Sequence, residues 1–91
     1  MEIVVSSWLS KRRDQLCIVN EILRIAKKGV SKTRIMYDAN LSFRGVNQYL
    51  SFMLKSKLLL KTCEDCKTVY CVSEKGLAFL HSYGQLLRLL R

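Results

Sequence analysis

The chain has 91 residues, enough for one small domain and no linker-joined second one. At 49% hydrophobic and 25% charged residues it is too apolar for a disordered tail and too polar for a membrane protein. Sixteen Lys and Arg against seven Asp and Glu give a net charge of +9, which calls for an anionic partner, either nucleic acid or a membrane surface.

The charge is unevenly spread: positions 24 to 67 hold ten basic and three acidic residues, whereas positions 1 to 23 hold three of each. A membrane-surface protein would concentrate its cations on one helix beside a strongly apolar face, and here they run through several segments, so nucleic acid is the expected partner and a membrane is not. No apolar stretch approaches the 18 or so residues of a membrane span, and the opening MEIVVSSWLSKRR reverses the order of a signal peptide, so the protein is expected to stay in the cytoplasm where it is made. A chain this small buries only about 60–65% of its unfolded surface and gains from a dimer partner.

With no proline and four glycines, helices should dominate. Residues 1–9, with Trp8, form an extension. From about Ser10 to Lys28, Leu16, Val19, Ile22, Leu23 and Ala26 recur at helical steps, and Gly29 closes the helix. Ser31 caps a short helix from Lys32 to Ala39 with Ile35 and Ala39 inward, and Asn40 and Leu41 make a turn. Ser42 caps a third helix, Phe43 to Lys55, whose apolar face is Phe43, Val46, Leu50, Met53 and Leu54. Its other face, Arg44, Asn47, Gln48, Ser51 and Lys55, reads as wholly polar and free of acids. Leu58–Cys63 and Lys67–Val72 read as a hairpin, and Ser73 caps a last helix running to position 91.

This order, with 31–55 as a helix-turn-helix and 58–72 as a wing, predicts an α+β, mostly helical, winged helix-turn-helix. It comprises three helices, a β-hairpin wing and a C-terminal dimerisation helix. Two short helices around a tight turn present the second one to the major groove, which is about 12 Å wide. The runs KTRIMY, ANLS and SEKG, within Ser31 to Leu59 and Tyr70 to Leu80, resemble the archaeal winged-helix DNA-binding proteins, especially the small chromatin-associated dimers. The resemblance implies a winged-helix fold, a dimer made through the C-terminal helix, and double-stranded DNA as partner.

Arg44, Asn47 and Gln48 are side chains suited to base edges, Arg44 and Gln48 foremost, with Ser42, Ser51 and Lys55 beside them. Lys32, Thr33 and Arg34 at the start of the second helix suit phosphate, as do Lys61 and Lys67 flanking the wing. Tyr37, Phe43 and Tyr49 interleave with the cations, but their spacing with Ile35, Val46 and Leu50 favours core packing over base stacking. In the last helix Leu77, Leu80, Tyr83, Leu87 and Leu90 form one apolar stripe and Phe79, Leu86 and Leu89 a second, so that a self-interface drawing on Phe79, Tyr83, Leu86, Leu87, Leu89 and Leu90 is expected.

Cys63 and Cys66 form a CxxC with Cys71 nearby, but a zinc site needs four ligands and usually two such pairs, so no metal and no cofactor is expected. With one histidine, no Gly-rich phosphate loop and no nucleophile–base pairing, catalysis is not expected. Two other readings follow from the same residues: a winged helix meeting an acidic protein, and a thiol- or metal-responsive sensor built on Cys63, Cys66 and Cys71.

Overall fold

The computed structural model describes residues 14–90. The extension over 1–9, the expected helix start at Ser10, and Arg91 lie outside the described residues. Among the described residues are four α-helices and one two-stranded antiparallel hairpin, arranged as a winged helix.

α1 (Gln15–Ile25) begins at a cap that periodicity alone does not reveal: the Asp14 carboxylate accepts the Cys17 amide at 2.7 Å. That bond satisfies one of the four orphan N–H groups and sets an anion at the positive end of the helix dipole. Val19, Ile22 and Leu23 are buried. Leu16, expected beside them, is exposed and borders an open groove with Tyr49 and Phe52. The helix tightens into a 3-10 turn over Ala26–Lys28, and Gly29, at φ +86°, reverses the chain. Any other residue there would be strained by that φ and would set its Cβ 3.2 Å from Val69. The reversal lets Val30 exchange two backbone hydrogen bonds with Tyr70, of 2.9 and 2.7 Å.

α2 (Lys32–Asp38) and α3 (Phe43–Lys55) are capped by Ser31 and Ser42, whose hydroxyls accept the Arg34 and Gly45 amides. Both helices end in one way. A residue with positive φ, Asn40 at 54° and Lys57 at 63°, follows the cap. The Leu41 amide then donates to the Met36 carbonyl and the Leu58 amide to that of Met53, each at 2.9 Å. This is the Schellman arrangement. Asn tolerates the left-handed region through its short polar side chain; a lysine there carries a cost of about 1–2 kcal/mol.

β1 (Leu59–Glu64) and β2 (Lys67–Val72) pair from Leu59↔Val72 to Glu64↔Lys67. The two-residue turn between them, Asp65–Cys66, has φ of 50° and 64°, the handedness that matches strand twist. β1 therefore runs one residue later at both ends than the expected Leu58–Cys63, because the turn takes two residues rather than three.

α4 (Glu74–Leu90) is fixed by Ser73. Its Oγ accepts the Gly76 amide at 3.0 Å, its hydroxyl donates to the Lys57 carbonyl at 2.6 Å, and its own amide donates to the Leu58 carbonyl at 3.1 Å. The core draws Ile22, Leu23, Ile35, Val46, Met53 and Leu59 from α1, α2, α3 and β1, all fully buried, and Ala39 is inward as expected. Tyr37 and Phe43 are not core residues: they are 74% and 65% exposed. With Ile35 inward, Tyr37 lies two residues and about 200° around α2 and must point out. Phe43, in the first turn of α3, lies beyond its packing partners and is covered by the Lys32 side chain, whose Nζ is 5.0 Å from the ring centre. Tyr49 is the one of the three that packs against the core.

Tyr83 stacks on Phe79 with ring centres 6.0 Å apart and planes within 10°. Burial, reinforced by Cys17 and Asp14, pushes its phenol from 10.0 up to about 12. The neutral phenol is thus favoured in the folded state. Its contribution to stability is complete below about pH 10 and disappears as pH rises toward 12. Tyr83→Phe should therefore flatten the fall of the urea midpoint between pH 10 and 12.

Gly76 and Gly84 should behave oppositely as alanines. A Cβ at position 76 would lie 2.4 Å from the Leu58 carbonyl oxygen and 3.1 Å from Leu23, whereas at position 84 nothing lies within 4 Å. Gly76→Ala should lower stability by about 1–3 kcal/mol, the usual cost of overpacking. Gly84→Ala should raise it by about 0.5–1 kcal/mol through helix propensity, both read from chemical denaturation.

Candidate nucleic-acid interface

Capping by Ser42 and the turn at Asn40 set α3 against α2 with its Val46–Leu50–Met53 face buried. Its other face is therefore outward, and Arg44, Asn47, Gln48, Ser51 and Lys55 line one open groove along it. No acid lines this groove. The face is not wholly polar, however. Phe43 and Phe52 flank it, Phe52 being 56% exposed. Phe52, assigned to neither face from the sequence, stands four residues after Gln48 and eight after Arg44, which is the spacing that puts it on this side of the helix.

The four exposed side chains, Arg44, Gln48, Ser51 and Lys55, extend over about 16 Å of helix at 1.5 Å per residue. Asn47 is half-buried because Lys32 reaches it from α2: the Lys32 ammonium donates to Asn47 Oδ1 at 2.8 Å. Lys32 is thus not a free cation at the start of α2. Arg34 is exposed but its Nε donates to Asp38 Oδ2 at 2.7 Å. An exposed i,i+4 pair of this kind is worth only a few tenths of a kcal/mol and yields readily to a phosphate. Thr33 is exposed beside it. Ser42 uses its oxygen as the α3 cap and keeps its hydroxyl proton available to donate.

The wing lysines do not share a face. Lys61 lies opposite Tyr70 and Lys67 opposite Glu64, and the two positions fall on alternate sides of the hairpin. Glu64 faces Lys67 across the ladder, so the cation there is partly offset. The same parity separates the cysteines: Cys71 pairs with Leu60, three rungs from Cys63 and on the other face. All four cysteines are free, and among the described residues no three His, Cys, Asp or Glu side chains converge to hold a metal. Cys63, Cys66 and Cys71 therefore do not assemble into one site.

On α4 the expected self-interface is divided. Phe79 packs against the core, although the spacing placed it on the second stripe, and Tyr83 and Leu87 are half-buried. Leu86, Leu89 and Leu90 remain 56%, 81% and 49% exposed. Among the described residues no helix is long and apolar enough to cross a membrane.

The family model described as winged helix-turn-helix matches residues 12–91. The chain belongs to this family. An uncharacterized protein of Methanocaldococcus jannaschii is 34% identical over 86 residues, covering 93% of this chain and 39% of its own length. This chain thus spans well under half of that relative. Among solved structures, Sso10a-2, a DNA-binding protein from Sulfolobus solfataricus, superposes with a TM-score of 0.76 at 23% identity, over 85% of this chain and 81% of its own. A predicted DNA-binding transcriptional regulator from E. coli superposes with a TM-score of 0.62 at 16% identity, over 96% and 90% of the two chains. The resemblance of the KTRIMY, ANLS and SEKG runs to archaeal winged-helix proteins is borne out by these matches.

Proposed function

We propose that this protein binds double-stranded DNA as a homodimer, with α3 in the major groove and the hairpin against the backbone, as a transcription regulator or a small chromatin-type protein of the cytoplasm. It is a binding protein and not an enzyme in this reading. The observation that carries the proposal is the acid-free groove of α3, with Arg44, Gln48, Ser51 and Lys55 exposed along it in a chain of net charge +9. The DNA-binding descriptions of Sso10a-2 and of the E. coli regulator, which share the fold, support the same assignment. Arg44 and Gln48 stand one turn apart near the N-terminal end of α3, the part of a recognition helix that meets base edges. Thr33, Arg34, Ser42, Lys55 and the wing lysines serve the phosphates.

The test is duplex affinity as a function of salt. The logarithm of the association constant should fall linearly with the logarithm of salt concentration, by about 0.9 per phosphate neutralised. Absence of duplex binding at low salt would instead favour the winged helix as a protein-binding module. Arg44→Ala should lose about 5- to 150-fold at the preferred sequence and little on random DNA, the signature of a lost bidentate base contact. An equal loss on every sequence would make α3 a phosphate clamp.

Homodimerisation rests on the exposed leucines of α4, which a chain of this size gains by covering. The doubly substituted chain Leu86→Lys, Leu89→Lys should sediment as a monomer and bind DNA more weakly, because two half-sites no longer act at an effective concentration. A wild-type chain that sediments as a monomer, or a variant that remains dimeric, would refute this arrangement.

A further inference from the structure

Asn47 shares with Gln48 the carboxamide chemistry that reads adenine, and at Asn47 the structure places a cation on the atom needed for that. A bidentate contact to adenine takes both ends of the carboxamide: Nδ2 donates to N7 and Oδ1 accepts from the N6 amino group. Here Oδ1 already accepts from the Lys32 ammonium at 2.8 Å. The ammonium is held in turn over the Phe43 ring, 5.0 Å from its centre. Lys32 belongs to α2 and Asn47 to α3, so the bond spans the helix-turn-helix and is not a feature of either helix alone.

Two consequences follow for whatever enters the groove. The Asn47 carboxamide is fixed with its Nδ2 donors turned away from Lys32. One of the two lone pairs of Oδ1 is taken by the ammonium, and the positive charge with its further N–H donors stands beside the other. A base amino group arriving there meets a donor and a like-signed partial charge, while a base acceptor meets donors from both residues. Among base pairs in the major groove, guanine presents two adjacent acceptors, N7 and O6, and adenine presents one acceptor beside a donor.

We propose that Lys32 is a positioning residue that makes Asn47 present its donors in preference to its acceptor, so that this position of the groove selects guanine over adenine. The inference rests on the DNA-binding reading given above and adds to it a base choice and the residue that sets it. Lys32 then acts on sequence preference, and is not simply one more phosphate contact.

The experiment is selection from a random duplex pool at low salt with the full chain and four variants: Asn47→Ala, Lys32→Met, Lys32→Arg and Lys55→Met. Asn47→Ala identifies the base pair it reads, as the position whose preference disappears. At that position the wild type should favour G·C by about tenfold. Lys32→Met keeps the aliphatic stem over Phe43 but removes the ammonium, and should shift the preference there toward A·T as the freed carboxamide recovers its acceptor. Lys32→Arg keeps a cationic donor and should retain G·C. Lys55→Met also removes one groove cation and should leave the preference in place. Lys32→Met that weakens every sequence equally with no change of preferred base would overturn the proposal. So would a wild type that binds duplex with no base preference, or that prefers A·T at the Asn47 position, with the DNA-binding reading left standing in all three cases. A wild type that binds no duplex at low salt would remove both.

Discussion

The Leu58 backbone carbonyl is the point on which the arrangement of this domain depends. It accepts the Ser73 amide at 3.1 Å, lies 3.0 Å from the Ser73 hydroxyl, and sits where a Cβ on Gly76 would collide at 2.4 Å. Leu58 itself is placed by the Schellman turn at the end of α3, through its amide bond to Met53. A single carbonyl therefore links the end of the third helix, the start of the hairpin and the start of the last helix. Lys75, which donates to the Ser56 carbonyl at 2.9 Å, ties the same corner from outside. Because all these bonds are between or to backbone groups, they fix direction with little dependence on side-chain packing, and the outward face of α3 inherits its orientation from them.

That orientation leaves the cations of α3 exposed while the apolar face supplies Val46, Leu50 and Met53 to the core. The electrostatic picture is more selective than net charge suggests. Of the cations near the groove, Lys32 is engaged with Asn47 and Phe43 and Arg34 with Asp38, whereas Arg44 and Lys55 have neither restraint in the structure and line the groove directly. On the hairpin, Lys67 faces Glu64 and Lys61 lies on the other side. Arg44 and Lys55 thus leave the groove of α3 positively charged, with no acid lining it.

α4 divides its apolar surface between two tasks. Near its start it is locked to the core by Gly76 against Leu23 and by Phe79 and Leu80, and one turn later Tyr83 meets Cys17 and Asp14 of α1. Its last turns hold Leu86, Leu89 and Leu90 in the open. The helix is 17 residues and about 26 Å long, against 11 residues for the α1 that it packs against.

The sequence by itself determined the order of elements, because each rests on local chemistry: serines at positions 31, 42 and 73 as caps, Gly29 as a stop, the polar Glu64–Asp65–Cys66 break in a β-forming run, and a 3.6-residue period at Ile35, Ala39, Val46, Leu50 and Met53. It also showed which helix face was basic. The tertiary structure alone decided what surrounds each face. Periodicity assigns a residue to a side of its own helix but carries no information on how far the neighbouring elements extend, so Phe43 and Leu16 were expected inside and lie outside, whereas Tyr37 lies outside by its own angle from Ile35. Phe52 lies on the groove by its helical spacing from Arg44 and Gln48. Lys57 in a left-handed turn leaves no trace in composition, since lysine has no preference for it. The Lys32–Asn47 bond joins residues 15 positions apart and exists only because the turn at Asn40 brings α2 against α3.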